Sequence, residues 1–199
     1  MLERIKSRWT KFIEPVALGL VKIGLSPNMV TWFGTAATCL VAIICFPQGW
    51  LWQGVVILLA FIFSDSLDGT MARATGQTTR WGAFLDSTLD RIADGAIFGG
   101  LTLYFYNTDS QLGAAVSLVA LVFGQVTSYS KARGEAIGVQ VNGGIAGRAD
   151  RLVIVLAGAL LTGLGINLAL PIAMSLLCLT GAVTVAQRMA IVHRALGGQ

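Results

Sequence analysis

Hydrophobic positions along the chain form six long apolar segments separated by short polar breaks. Each segment approaches the roughly 20 residues that a helix needs to cross the hydrocarbon core of a bilayer. The breaks read FPQGW, ATGQT, YNTDSQ, GVQVNGGIAGR and LGIN. The pattern predicts an all-α integral membrane protein with six transmembrane helices, at about 28–46, 50–73, 80–106, 111–135, 149–165 and 168–194.

The first 24 residues follow a different pattern, with apolar side chains at helical spacing and basic residues on the other faces. This arrangement is typical of an amphipathic helix that lies in the membrane interface. We therefore expect an interfacial helix over 1–24, followed by a six-helix transmembrane domain over 25–199. The apolar positions of the helix are Leu2, Ile5, Trp9, Phe12, Val16 and Leu20.

Composition supports membrane insertion, because 55% of the residues are hydrophobic and only 12% are charged. A typical soluble protein has roughly 25% charged residues. The three cysteines are widely spaced in apolar runs, and His193 is the only histidine. Zinc sites built from thiolates and imidazoles are therefore excluded, and a disulfide framework is not expected.

The basic residues lie at the N-terminus, at the C-terminus, and in or beside the second and fourth connections. The other connections contain no Lys or Arg, so with six spans the two sets lie on opposite sides of the membrane. The positive-inside rule then places both termini and the basic side in the cytoplasm, and we expect a plasma-membrane protein. The net charge of +4 reflects this topology, and no nucleic-acid partner is expected.

Four acidic residues interrupt two of the apolar segments. Asp65 and Asp68 lie near the end of the second predicted helix, and Asp86 and Asp90 lie near the start of the third. Spacings of three and four residues place each pair on one helix face. Because carboxylates near lipid are costly and repel one another, they need compensation, and divalent cations with a preference for hard oxygen ligands provide it. We expect two Mg²⁺ or Mn²⁺ ions that hold a diphosphate.

Charge pairing with Arg73, Arg80 and Arg91 is the alternative explanation for the acids. We expect it to account for Asp94, which stands three residues after Arg91. For the four acids of the two pairs, both their number and their placement argue against it.

The segment DSLDGTMARATGQTTRWGAFLDSTLD has the form D-x2-D-G-x2-A-R-x8-G-x3-D-x3-D. It resembles the signature of the CDP-alcohol phosphatidyltransferase family. The six-helix layout resembles that family over nearly the whole chain. The resemblance implies that a CDP-linked lipid, usually CDP-diacylglycerol, donates its phosphatidyl group to an alcohol and releases CMP.

The resemblance also implies roles for individual residues. Asp65, Asp68 and Asp86 would bind the first metal, and Asp65, Asp86 and Asp90 the second. Asp90, the last motif aspartate, would be the general base. The residues expected to bind CDP-diacylglycerol are Asn28, Thr31, Gly69, Arg73 and Thr79. For Asn28, helix capping after Pro27 is an equally good explanation.

A second polar cluster follows in the last three predicted helices. We expect Ser128, Lys131, Arg151 and Arg188 to bind a phosphate on the acceptor, because cationic donors suit an anion and would serve choline or ethanolamine poorly. Arg188 stands away from any obvious loop, so it either snorkels or lines a polar cavity. Arg133 and Arg148 are explained by the positive-inside rule. The glycine-rich connection GVQVNGGIAG is expected to contact an acceptor through its backbone or not at all.

Three further segments, STLDRIADGAIFG, GQVTSYSKARGEAIG and ADRLVIVLAGALL, resemble the bacterial phosphatidylinositol-phosphate synthase branch of the family. That resemblance implies 1D-myo-inositol 3-phosphate as the acceptor. Glycerol-3-phosphate, which would give phosphatidylglycerophosphate, is the alternative within the family. An intramembrane prenyltransferase and an ion transporter are alternatives from other classes. Gly95 and Gly99 have small-xxx-small spacing, which serves either a homodimer or packing within one chain.

Overall fold

The computed structural model describes residues 15–74, 76 and 79–197, and within this range it leaves out the side chains of 62–68 and 74. The described chain is all-α, with six long helices: α1 (Pro27–Cys45), α2 (Leu51–Ala74), α3 (Arg80–Asn107), α4 (Gln111–Ala136), α5 (Arg148–Gly163) and α6 (Ala169–Leu196). A further helical stretch covers 15–22. The rest of the predicted interfacial helix, over 1–14, lies outside the described residues.

The six helices coincide with the six predicted apolar segments. The largest difference at a boundary is two residues, at 163 against the predicted 165 and at 196 against 194. Local chemistry explains several starts. Ser26 caps α1 by accepting a hydrogen bond from the amide of Met29 at 3.3 Å. In the first turn of α5, Asp150 accepts a hydrogen bond from the amide of Gly147, the residue before the helix, at 2.8 Å.

Among the described residues, three helices are long and apolar enough to cross a membrane: α1, α4 and α6. The side chains of α2 are described only in part, and α5 has only 16 residues. The first half of α3 carries four charged side chains. Large apolar side chains are exposed on the candidate spans, as at Val122 and Leu179, which is expected where lipid replaces water as the solvent. The structure thus has membrane-protein features, while the six-span arrangement stays a prediction.

The chain divides into two compact units. The first contains the described residues of Met1–Ile43 and Val56–Ile97, and the second those of Ile44–Val55 and Phe98–Gln199. In the first unit the core includes Leu58, Met71 and Leu89. Its buried polar side chains are Thr31, Thr35, Thr38, Thr70 and Asp94.

In the second unit, α6 packs against both α4 and α5. Glycines allow this close approach: a Cβ at Gly158 would lie 2.7 Å from Cβ of Ala173, and one at Gly181 would lie 2.8 Å from Cβ of Phe123. Small residues at such contacts are typical of helices packed in membranes. The largest fully buried side chains in this unit include Phe46, Leu51, Leu101, Leu170, Met174 and Leu177.

Candidate functional site

Two acidic side chains of the motif lie one turn apart on α3. Asp86 is exposed and Asp90 is half-buried, and their spacing of four residues places them on one side of the helix. We call this pair the acidic face. Asp65 and Asp68 belong to α2, but their side chains lie outside the described ones. The predicted assembly of four carboxylates therefore stays a prediction.

The acidic face has the chemistry that a divalent cation requires. Asp86 offers exposed carboxylate oxygens and forms no ion pair with the side chains that the structure describes. Gly82, one turn earlier, adds no bulk on the same side. Hard oxygen donors suit Mg²⁺ and Mn²⁺. Among the described side chains, no three or more of His, Cys, Asp or Glu form a group that could hold a metal. The side chains of Asp65 and Asp68, two of the four predicted ligands, are not among those described. The residues present fit a metal site.

Arg91 contacts two carboxylates of α3. Its Nε lies 3.9 Å from Oδ2 of Asp94, the pairing expected from their spacing. Its Nη2 also lies 3.3 Å from Oδ2 of Asp90. The interpretation that charge pairing does not reach the motif acids is therefore wrong for Asp90. Neighbouring residues on a helix point about 100° apart, but the long arginine side chain folds back far enough to bridge that angle.

The motif glycine Gly82 lies beside two polar residues at the start of α3, and we call the three residues the donor corner: Asn28, Thr79 and Gly82. A Cβ at Gly82 would lie 3.3 Å from Oγ1 of Thr79 and 3.4 Å from Oδ1 of Asn28. Thr79 caps α3 by accepting a hydrogen bond from the amide of Gly82 at 3.0 Å. Ser26 caps α1, so the alternative explanation of Asn28 as a capping residue is wrong. The Asn28 amide instead lies beside the motif glycine.

Gly69 and Arg73 also lie together, near the end of α2. A Cβ at Gly69 would be 3.6 Å from Nη1 of Arg73, so the guanidinium folds along the helix to lie beside the glycine. Arg73 donates from Nη2 to Oγ1 of Thr70 at 3.2 Å. Thr31 has a different environment: it is buried and donates from its hydroxyl to the carbonyl oxygen of Pro27 at 3.1 Å. This bond ties the Thr31 hydroxyl to its own helix.

The second predicted cluster, which we call the basic cluster, contains Ser128, Lys131, Arg151 and Arg188. Arg151 is only 4% exposed and its Nη2 lies 3.5 Å from Oγ of Ser128. Gly124, one turn before Ser128, faces the same side chain, since a Cβ there would lie in ordinary van der Waals contact with Nε of Arg151 at 3.5 Å. The structure thus brings a buried cation and a hydroxyl together, as the sequence predicts.

Arg188 is buried and holds two backbone carbonyls. Its Nε donates to the carbonyl oxygen of Gly143 at 2.8 Å, and its Nη1 donates to that of Thr127. Of the two predicted environments, snorkelling is therefore wrong. The guanidinium joins the connection between α4 and α5 to α4 itself.

Lys131 lies at the surface of the cluster. Its Nζ is 3.8 Å from Oε1 of Glu135, and about half of each side chain is exposed, at 47% and 50%. An exposed pair of this kind contributes little to stability. Lys131 can therefore exchange Glu135 for another anion at small cost.

Sequence reasoning missed the side chains that shape the connection between α4 and α5. Thr184 of α6 accepts hydrogen bonds at Oγ1 from the amides of Ile145 and Ala146, at 3.2 and 3.5 Å. Gln140 and Asn142 line a cavity of 380 Å³ together with Glu135. The side chains of Gln140 and Asn142 are thus available here as well as the backbone, and the expectation that an acceptor contacts this connection through its backbone or not at all stays a prediction. The sequence shows the polar side chains of this connection, but it does not show that the connection packs against α6.

Comparison with known proteins covers nearly the whole chain. Residues 24–186 match the family model described as CDP-alcohol phosphatidyltransferase. The phosphatidylinositol phosphate synthase of Cutibacterium acnes is 49% identical over 204 residues, which cover 98% of this chain and 99% of the relative. That of Streptomyces avermitilis is 46% identical, with coverage of 94% and 80%.

Solved structures of the Mycobacterium tuberculosis phosphatidylinositol phosphate synthase are also similar. One, with CDP-DAG bound, has a TM-score of 0.89 and 40% identity, and the match covers 92% of this chain and 94% of that one. Another, in complex with manganese and citrate, has a TM-score of 0.88 and 41% identity, with coverage of 90% and 88%. The chain described here belongs to the CDP-alcohol phosphatidyltransferase family.

Proposed function

We propose that this protein transfers the phosphatidyl group of CDP-diacylglycerol to 1D-myo-inositol 3-phosphate and releases CMP. The observation that carries the proposal is the end-to-end similarity, at 46–49% identity, to two phosphatidylinositol phosphate synthases. In the reaction a hydroxyl oxygen of the acceptor forms a bond to the phosphorus next to the lipid. The bond from that phosphorus to the oxygen of CMP breaks.

The donor is assigned to the first unit. The similar structure with CDP-DAG bound supports a nucleotide-lipid donor. In this chain Asn28, Thr31, Gly69, Arg73 and Thr79 are the residues proposed to bind it. The donor corner supports part of this set, since the Asn28 and Thr79 oxygens flank a glycine that leaves space beside them. Arg73 offers guanidinium donors to a phosphate oxygen.

The metal is proposed to be Mg²⁺, with Mn²⁺ as a substitute, at two ions per site. The similar structure with manganese supports a divalent cation. Asp65, Asp68 and Asp86 are assigned to one ion, and Asp65, Asp86 and Asp90 to the other. Bound cations supply neutralisation of the charge on the diphosphate. The exposed carboxylate of Asp86 supports the assignment within the described residues.

Asp90 is proposed to accept the proton of the attacking hydroxyl. A general base needs a carboxylate within hydrogen-bond reach of that proton, held in a fixed orientation. Asp90 is half-buried and contacts Arg91, so its side chain is more restrained than that of the exposed Asp86.

The acceptor phosphate is assigned to the basic cluster. Arg151 is buried beside the Ser128 hydroxyl, and Lys131 is paired only at the surface, so both can present donors to an anion. Arg188 uses two of the five N–H donors of a guanidinium for the carbonyls of Gly143 and Thr127. Its remaining donors are the ones proposed to reach the phosphate.

The membrane arrangement completes the proposal. We assign six spans to α1–α6, an interfacial helix to 1–24 and the catalytic domain to 25–199. Both termini and the site are placed on the cytoplasmic side of the plasma membrane, on the charge distribution of the connections. A homodimer is assigned on the small-residue spacing of Gly95 and Gly99 in α3.

The direct test is CMP release by purified protein in detergent. The protein receives CDP-diacylglycerol and Mg²⁺ with inositol 3-phosphate, glycerol-3-phosphate or free inositol. Turnover with inositol 3-phosphate well above that with the other two is expected. Preference for glycerol-3-phosphate would transfer the assignment to phosphatidylglycerophosphate synthesis. Turnover with free inositol alone would contradict the role of the basic cluster.

A further inference from the structure

Arg91 follows Asp90 directly in α3 and connects two carboxylates of different exposure. Its Nη2 contacts Oδ2 of Asp90 at 3.3 Å, and its Nε approaches Oδ2 of Asp94 to 3.9 Å. The side chain of Asp90 is 17% exposed, that of Asp94 only 7%. The Arg91 guanidinium thus links the buried carboxylate of Asp94 to that of Asp90, which belongs to the acidic face.

The buried carboxylate explains why the guanidinium is held in place. A charge removed from water needs a charged or hydrogen-bonding partner, so the Asp94 carboxylate attracts the Nε edge of Arg91, although at 3.9 Å the two atoms form an ion pair without a hydrogen bond. The guanidinium is planar and its donors have fixed directions. When one edge is restrained, the direction in which Nη2 points toward Asp90 is restrained as well. Rotation of the Asp90 carboxylate about its Cβ–Cγ bond is then limited.

We propose that Arg91 is a positioning residue for the transfer reaction. It orients the Asp90 carboxylate for proton transfer, and Asp94 acts through Arg91. This inference rests on the proposed function, in which Asp90 accepts the proton of the acceptor hydroxyl. Proton transfer depends on the direction of the accepting oxygen, whereas substrate binding by other residues does not. Loss of Arg91 therefore lowers turnover more than it lowers affinity.

The test is a double-mutant cycle with Arg91→Gln, Asp94→Asn and the combined variant. CMP release is measured against the concentration of each substrate. Misplacement of a reacting group by about 1 Å costs roughly 100-fold, and loss of a residue that orients a ligand about 10- to 100-fold. We expect kcat of Arg91→Gln to fall about 10- to 100-fold, with each KM within about threefold of the wild type. The kcat of Asp94→Asn should fall less than that of Arg91→Gln.

Non-additivity is the signature of this arrangement. Because Asp94 acts through Arg91, the combined variant should have the kcat of Arg91→Gln alone. Arg133→Gln, which removes an exposed arginine at the end of α4, is the matched control and should retain wild-type kcat. Multiplied losses in the combined variant, or an unchanged kcat in Arg91→Gln, would overturn the proposal.

Binding provides a readout besides activity. Mn²⁺ affinity, followed by electron paramagnetic resonance, and the rise in Tm on addition of CDP-diacylglycerol should both be retained in Arg91→Gln. Loss of both together with kcat would contradict a positioning role. If Arg91→Gln does not fold, Arg91→Lys and Asp94→Asn carry the same test. Lysine keeps the charge but not the planar fork, so its kcat should also fall.

Failure of the proposed function gives a different result. If the wild type uses glycerol-3-phosphate and not inositol 3-phosphate, the acceptor assignment fails. The Arg91 cycle is then measured with the active acceptor and keeps its expected outcome. A wild type that releases no CMP with any acceptor overturns both proposals.

Discussion

On the acidic face of α3 Asp86 is exposed, whereas in the basic cluster the residues Arg151 and Arg188 are only 4% and 9% exposed. Arg188 is tied to backbone carbonyls, and Arg151 lies against the Ser128 hydroxyl. A carboxylate kept open is suited to a ligand that arrives from outside. A buried guanidinium must first satisfy its own surroundings. The exposed carboxylate of Asp86 is therefore available to a ligand, whereas the two buried arginines also stabilise the structure around them.

Asp90 gives the largest expected effect in this comparison. Asp90→Asn keeps the size of the side chain but removes the oxygen that accepts the proton. Because general-base catalysis contributes about 10²- to 10⁴-fold, we expect kcat to fall by at least about 100-fold. The rise in Tm on addition of CDP-diacylglycerol should remain. The measurement is CMP release at saturating substrates, and a rate near that of the wild type would remove the assignment of the base.

Replacement of Arg188 should reduce both the stability of the protein and its affinity for the acceptor. Arg188→Met leaves the carbonyls of Gly143 and Thr127 without their donor, and an unsatisfied buried polar group costs about 1–3 kcal/mol. We therefore expect a lower Tm in detergent as well as weaker acceptor binding. Arg194→Met, at an exposed position six residues later in α6, is the control and should keep its Tm. An unchanged Tm for Arg188→Met would show that the two hydrogen bonds are not structural.

Lys131 should separate binding from stability. Its exposed pair with Glu135 contributes roughly 0–1 kcal/mol, so Lys131→Ala should leave Tm unchanged. If the amine binds the acceptor phosphate, the acceptor KM should rise about tenfold, equivalent to the roughly 1.4 kcal/mol of one charge-assisted contact. The KM for CDP-diacylglycerol should stay constant. Steady-state kinetics with each substrate varied in turn provide the measurement, with Arg133→Ala as control. An equal rise in both KM values would contradict the acceptor assignment.

The helices and part of the site were predictable because their causes are local. Apolar runs and the breaks between them place α1–α6 to within two residues. Helical spacing predicts that Arg91 reaches Asp94, three residues away. The role of Asn28 was open, since donor binding and helix capping were equally good explanations from the sequence. Only the backbone geometry decides that Ser26 caps the helix.

The contacts that could not be predicted join residues through tertiary structure or through side-chain conformation. Arg188 and Gly143 are 45 residues apart in sequence, and no periodic pattern connects a helix interior to a glycine in a loop. The Arg91 contact with Asp90 depends on how a long side chain folds, which spacing rules do not describe. The four-carboxylate assembly at Asp65, Asp68, Asp86 and Asp90 remains predicted from the motif alone.

The connection between α4 and α5 has no regular secondary structure over 139–147, yet two residues of α6 that lie one turn apart form hydrogen bonds with it. Thr184 receives the amides of Ile145 and Ala146, and Arg188 donates to the carbonyl oxygen of Gly143. Local opening of this segment must therefore break its hydrogen bonds to α6. These hydrogen bonds restrain the irregular segment, so it is held in place by α6 as a helix would be.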